Sequence, residues 1–243
     1  MKIDSYEDNF LSNENRFHLD PQFILDEIPG LIGDVAIDLG SCMGSFALKY
    51  HERFNEIFCF EACYPNFLKS IERLRQEEII NKCRVFNLAA SDESGKIDRI
   101  FFEEKGSPRS PSLKNISKEE VSGHPVMKIS LKDILEMVGE KRVSYLKVDV
   151  EGAEYDIFGS ANYSSLSKIQ CISMEIHKEF GDDIDLQRNI IRNGFSIFKI
   201  ENKTNYNISF IRDDVYDTLL HAGAFVEKEH HPYPRHQPIR FET

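Results

Sequence analysis

The sequence predicts a single Rossmann-like α/β domain, with a mainly parallel sheet of roughly seven strands and a closing antiparallel hairpin at the C-terminal end. Short β-rich apolar runs alternate with helical periodicity from residue 35 onward, the signature of βαβ units. The length of 243 residues lies within reach of one α/β domain with a large core. A turn bearing an acid and two glycines follows the first run directly, at the place where a sheet of this kind binds ligands.

Taken in order, VAIDLG (35–40) is a buried first strand and Ser45 to Phe54 carries helical spacing. EIFCFEA (56–62) is a second strand, and Pro65 to Glu78 a helix that tolerates proline near its start. CRVFNLA (83–89), VSYLKVDVE (143–151) and IQCISMEI (169–176) continue the sheet, and FSIFKI with NISFIR closes it as a hairpin. Between the third and fourth strands KIDRIFFEE reads as extended, followed by GSPRSPSLKNISKEEVSGHP, a short strand and the helix LKDILEMV. A loop of that length without its own structure is commonly functional, so 105–125 is read as a recognition lid, with an unspecialised surface insertion as the alternative. Residues 1–33 are read as an N-terminal helical or cover segment, 34–229 as the domain, and 230–243, dense in Pro and His, as a flexible tail without function.

The composition, 41% apolar and 29% charged, is that of a folded enzyme-like chain. Thirty basic against forty-one acidic residues give a net charge of −11, which repels phosphate backbones and makes nucleic acid an unexpected partner. The five cysteines, Cys42, Cys59, Cys63, Cys83 and Cys171, include no C-x-x-C pair and read as reduced core thiols. The first residues carry no apolar stretch of signal-peptide length and no window approaches a membrane span, so a cytoplasmic location is the default expectation.

The first strand runs into Asp38-Leu39-Gly40-Ser41-Cys42-Met43-Gly44 and then a helical pattern. Gly40 and Gly44 permit a tight turn and a close approach of backbone to ligand. The G-x-x-x-G spacing lacks the G-x-G-x-x-G that presents helix amides to a pyrophosphate. The carboxylate of Asp38 repels a pyrophosphate but accommodates the positively charged amino-acid half of S-adenosylmethionine, so sign of charge separates the two cofactors. Glu61, twenty-three residues after Asp38, stands at the end of the second strand, where a carboxylate accepts hydrogen bonds from both hydroxyls of a ribose. Ser91 and Asp92 follow the third strand and are placed to reach an adenine edge; a turn or helix cap is their alternative role.

The strongest signal is YLKVDVEGAE (145–154), a strand destined for burial that is charged at every second position, with Lys147, Asp149 and Glu151 sharing one face. Such groups need partners, since burying them alone costs several kcal/mol, roughly the net stability of a domain. A reactive site satisfies that need; so does a structural ion-pair network. In the next strand Glu175 and His177 lie two apart at the carboxyl end, and His177 is the expected base for an acceptor hydroxyl. A divalent metal on Asp149, Glu151 or Glu175 is an alternative to base catalysis and is not the expectation.

The segments IDLGSCMGSF, FEACYPNF, LAASD, YLKVDVEGAEYDIF and MEIH, in this order and spacing over roughly Asp34 to Asn193, resemble the FkbM-type methyltransferases. The resemblance implies the class I methyltransferase fold, S-adenosylmethionine as cofactor, and methyl transfer, usually to a hydroxyl of a sugar or polyketide-like product. It matches Asp38, Gly40, Gly44 and Glu61 to the cofactor motifs, Asp149, Glu151, Gly152 and Glu154 to a central block, and Glu175 with His177 to the block after it. Ser41, Cys42 and Cys63 depart from the usual pattern of the family. The expectation is therefore an O-methyltransferase acting on a glycan, a nucleotide-sugar precursor or another small-molecule acceptor, with Lys147, Asp149, Glu151, Glu175 and His177 at the reacting centre. The rivals are a nicotinamide oxidoreductase, an RNA methyltransferase, whose only basic clusters would be Lys69 to Arg75 and Lys105 to Lys118, and a catalytically silent cofactor-binding scaffold. No motif specifies the acceptor or an oligomeric state.

Overall fold

Alternation of β-branched and aromatic runs with amphipathic helices gives three layers, helices on either face of a sheet. The structure, a computed structural model, describes residues 23–28, 30–103, 107–114, 124–159, 163–201 and 206–221. In chain order α1 (Phe23–Glu27) precedes β1 (Gly33–Leu39), α2 (Ser45–Tyr50), β2 (Phe54–Phe60), α3 (Tyr64–Gln76), β3 (Cys83–Phe86) and β4 (Ala89–Ser91). There follow β5 (Ile97–Glu103), β6 (Ser107–Ser112), β7 (His124–Ser130), α4 (Leu131–Val138), β8 (Val143–Val148) and α5 (Glu154–Gly159). The remainder is β9 (Cys171–Ile176), α6 (Asp183–Ile191), β10 (Phe195–Glu201), β11 (Tyr206–Arg212) and α7 (Asp213–His221).

The main sheet has the seven strands that the sequence predicts, and they lie in the order β10-β11-β9-β8-β1-β2-β3. Neighbours from β9 to β3 are parallel, and β11 runs antiparallel to both β9 and β10, which is the expected closing hairpin. Period-two alternation separates the faces. Val35, Ile37 and Leu39 of β1 join Leu146 and Val148 of β8 in a core covered by Ile134 of α4, Ile157 of α5 and Leu186 of α6. Ala36 and Tyr145 face the other core, with Ile24 of α1, Phe46 of α2, Leu74 of α3 and Tyr216 of α7. The rings of Phe46 and Tyr145 lie 5.7 Å apart and nearly parallel. Cys59, Cys63, Cys83 and Cys171 are buried free thiols, and Cys42 is partly exposed.

Several boundaries differ from the sequence reading. Helix α2 ends at Tyr50 because His51–Arg53 tightens into a 3₁₀ turn, so Phe54 begins β2 and Glu61 stands just beyond its end. The expected strand 83–89 is broken. The side-chain amide of Asn87 donates to the carbonyls of Glu61 (2.8 Å) and Ala62 (3.0 Å), and the chain then leaves the main sheet. It enters a second, four-stranded sheet in the order β4-β7-β5-β6. The expected strand 143–151 stops at Val148, because Glu151 (φ 52°) and Gly152 (φ 100°) turn the chain in left-handed conformations no strand contains. The lid assigned to 105–125 contains β6, paired antiparallel to β5; its residues 105–106 and 115–123, the N-terminal 1–22, residues 222–229 at the end of the expected domain and the Pro- and His-rich 230–243 lie outside the described residues. Among the described residues no helix is long and apolar enough to cross a membrane.

The break at Asn87 has a measurable weight. Asn87→Ala leaves two carbonyls without their donor and is expected to lower stability by about 1–3 kcal/mol. The reading is a lower urea midpoint at unchanged slope.

Candidate active site

Beyond the carboxyl ends of β1, β2 and β8 lies an open cleft. Its polar lining is Cys42, Glu61, Asn66, Asp149 and Glu151, with the backbone of Gly40; Phe60, Leu88, Ile100 and Leu113 are among its apolar walls. Ile100 comes from β5 of the second sheet and Leu113 from the turn just after β6, and both pack in a small core with Cys63 and Ala89.

Asp38 does not line this cleft. It is fully buried, opposite Lys147 in the β1–β8 register, and the Lys147 ammonium sits 3.1 Å from its Oδ1. The same ammonium donates to the Gly40 carbonyl at 3.1 Å and lies 3.6 Å from Asp149 Oδ2. The expectation that Asp38 meets the cationic end of a cofactor is therefore corrected: a carboxylate removed from water on a central strand takes its counter-charge from inside the protein. Lys147, expected at the reacting centre, is likewise internal and positions the loop above it. The carboxylate that reaches the cleft here is Asp149. Gly40 has φ 76°, and a Cβ there would fall 1.7 Å from the carbonyl oxygen of Asp149, so only glycine lets the loop lie against the β8 end. Gly44, also at φ 76°, caps the start of α2 and does not line the cleft.

Glu61 is where the sequence places it, buried at the end of β2 and facing the cleft. Its two oxygens accept the backbone N–H groups of Cys42 and Cys63, each at 2.7 Å. A carboxylate offers about four acceptor sites, so two remain for a diol. Burial pushes this carboxyl up to about 8, with Asp38 adding to the rise, against the downward pull of the two N–H donors.

Ser91 and Asp92, expected near an adenine edge, are instead tied into the second sheet. Ser91 Oγ donates to Asp92 Oδ1 at 2.9 Å, and Asp92 pairs with Lys128 at 3.1 Å. The departure of the chain at Asn87 carries them off, and the cleft is lined there by Leu88, Ala89 and Ala90. No polar pattern could have marked those apolar positions.

His177, the expected base, is corrected as well. Nε2 lies 3.1 Å from Glu151 Oε2 and Nδ1 3.1 Å from Glu154 Oε1, so both ring nitrogens are engaged by carboxylates. Burial alone would pull the imidazole down, but the hydrogen bonds to Glu151 and Glu154 override it and push it up to about 11. A doubly protonated ring has no lone pair with which to take a proton, and His177 is buried and does not line the cleft. Glu175 stands 4.0 Å from Nε2 and also does not line the cleft. The acid that does is Glu151, held by His177 at its carboxylate. Among the described residues no three His, Cys, Asp or Glu side chains are grouped to hold a metal ion, so Asp149, Glu151 and Glu175 form no such centre.

Two outcomes are expected. Imidazole NMR will find His177 doubly protonated across about pH 6 to 9; the stabilisation it supplies is complete below its unfolded value of about 6.5 and fades as pH rises toward the folded one. Binding of adenosine, which has no titrating group near neutrality, should tighten up to about tenfold per pH unit until Glu61 is ionised near 8, then level off, because two ribose hydroxyls require the anion. Calorimetry checks this, and Glu61→Gln should flatten the profile.

No curated protein is significantly similar to the chain. Among solved structures, methyltransferase FkbM from Methylobacillus flagellatus KT is 12% identical with a TM-score of 0.49, over 74% of this chain and 44% of that one, so the chain spans less than half of that protein. The N-terminal domain of human METTL16 in complex with S-adenosylhomocysteine is 11% identical with a TM-score of 0.47, over 78% of this chain and 67% of that one. TrmK of M. capricolum, with the same cofactor product, is 9% identical with a TM-score of 0.43, over 79% and 68%. The sequence profile of the methyltransferase FkbM domain matches residues 44–207, more than half of the chain and all of the strand ends that line the cleft except Gly40 and Cys42 on the first loop. On that match the chain belongs to the FkbM methyltransferase family.

Proposed function

We propose that this chain is an S-adenosylmethionine-dependent O-methyltransferase whose acceptor is a hydroxyl of a carbohydrate or of a related natural product. The observation that carries the reading is the charge of the cleft. Its described lining includes the carboxylates of Asp149 and Glu151, joined by Glu61 once that carboxyl ionises, and no Lys, Arg or His. At close range in a partly desolvated site, like charges repel and opposite charges attract by several kcal/mol. Such a lining favours a cofactor carrying a sulfonium and an ammonium, and disfavours the pyrophosphate of a dinucleotide or the backbone of RNA.

The residues present fit the group. Glu61 keeps two acceptor positions for its ribose hydroxyls, Asp149 presents a carboxylate for its ammonium, and the Gly40 turn makes room for both. Ser41 in the same loop is buried with its Oγ lacking a hydrogen-bond partner among the described residues, a donor suited to the carboxylate end. When bound, S-adenosylmethionine supplies a methyl carbon whose bond to sulfur breaks as the acceptor oxygen bonds to it, the electron pair staying on sulfur. Glu151 takes the hydroxyl proton. A carboxylate suffices as base because that proton becomes strongly acidic once the oxygen gains its bond to carbon, and proton removal of this kind adds about 10²- to 10⁴-fold. Most of the acceleration comes from alignment within the cleft walls.

Calorimetric titration with S-adenosylmethionine should show saturable binding, with none for NAD; absence of both would overturn the reading and promote the silent-scaffold alternative. With a labelled methyl group and a panel of neutral glycans, Glu151→Gln should lower turnover at saturating S-adenosylmethionine by about 10²-fold or more, with affinity for the neutral product S-adenosylhomocysteine kept.

A further inference from the structure

Glu151 is not glycine, yet its backbone is left-handed at φ 52°, a conformation that persists only where the surroundings enforce it. The enforcement is visible in the peptide unit that joins it to Gly152. The N–H of that unit, from Gly152, donates to Glu154 Oε2 at 2.9 Å. Its carbonyl, from Glu151, accepts from the hydroxyl of Ser112, which is buried at the end of β6. One peptide is thus pinned at both ends, and the two pins come from different parts of the fold. Glu154 belongs to the main domain and is itself held by the His177 N–H at 2.8 Å. Ser112 belongs to the inserted sheet.

The Ser112 hydroxyl is committed in both directions, since it also accepts the Lys114 N–H at 2.9 Å. Lys114 then reaches across to Asp156 on α5, with its ammonium 2.7 Å from Oδ2. Between them Leu113 lines the cleft. The end of the insert is therefore stitched to the turn that carries Glu151, and sets the backbone torsion from which that carboxylate projects.

We propose that Ser112 and Lys114 are positioning residues that hold the Glu151 carboxylate at the reacting end of the cleft, so that the inserted sheet, and not the main domain alone, completes the site. The inference rests on the methyltransferase reading above and concerns residues no motif marks. It makes the insert a determinant of turnover, because any acceptor that moves β6 moves Glu151.

The test needs no acceptor. S-adenosylhomocysteine is neutral at sulfur, whereas sinefungin carries an ammonium where the transferred methyl would be, so the ratio of their dissociation constants reports the carboxylate that faces this position. The wild-type protein should prefer sinefungin by about tenfold, an amount reasonable for one partly exposed charge pair. Ser112→Ala should cut that preference at least about threefold while leaving S-adenosylhomocysteine affinity unchanged, with Lys114→Met acting in the same direction and Glu151→Gln abolishing the preference. An unchanged ratio in both the Ser112 and Lys114 variants overturns the proposal. So does a parallel loss of both ligands, which would mark the two residues as mere supports of the fold. Failure of the wild type to bind S-adenosylhomocysteine at all would instead overturn the cofactor reading.

Discussion

The buried pair of Asp38 and Lys147 is the constraint on which the rest of the site depends. The two residues face each other across the central β1–β8 ladder, and the lysine also holds the Gly40 carbonyl. Removing one partner of such a pair leaves a charge stranded in low dielectric at a cost of about 3–5 kcal/mol, against a total stability of about 5–15 kcal/mol for a domain. The pair therefore locks the first loop onto the end of β8, where Gly40 meets the Asp149 carbonyl with no space for a side chain. The floor of the cleft is the product of that contact.

Charge in this protein is arranged in two tiers. Asp38, Lys147, Glu154 and His177 are buried and satisfy one another or the backbone. Glu61, Asp149 and Glu151 face the cleft, and each is attached to the inner tier or to backbone donors. The inner tier sets geometry, while the outer carboxylates meet what enters. This division explains how a strand end this charged remains compatible with a stable fold: each of these side chains has an assigned counter-charge or N–H, so burial does not strand it.

The inserted sheet extends the same logic beyond the main domain. Its apolar residues Ile100 and Leu113 wall the cleft beside Glu61, and Ser112 bonds the turn of Glu151 at the other end. One element thus borders the cleft both beside Glu61 and beside Glu151.

Alternation of apolar runs with helical periods was enough to read the sheet, its parallel sense and its closing hairpin, because those patterns report burial of each residue by its own neighbours in the chain. The positions of Asp38, Gly40, Glu61 and Asp149 were legible for the same reason, each standing near a strand end or where a turn demands glycine, whereas Glu151, read as part of the strand, sits in the left-handed turn beyond it. Roles were not legible. Whether Asp38 meets a ligand or Lys147, and whether His177 is a base or a clamped cation, depends on partners as much as 109 residues apart in sequence, Asp38 and Lys147 being the extreme case. The side-chain break at Asn87, which carried Ser91 and Asp92 away, and the bond from Ser112 to Glu151 leave no local pattern at all. Sequence alone determined which groups stand at the strand ends. Tertiary structure decided which of them are spent on one another and which remain for chemistry, since pairing of buried charge is settled only by distance in the folded chain.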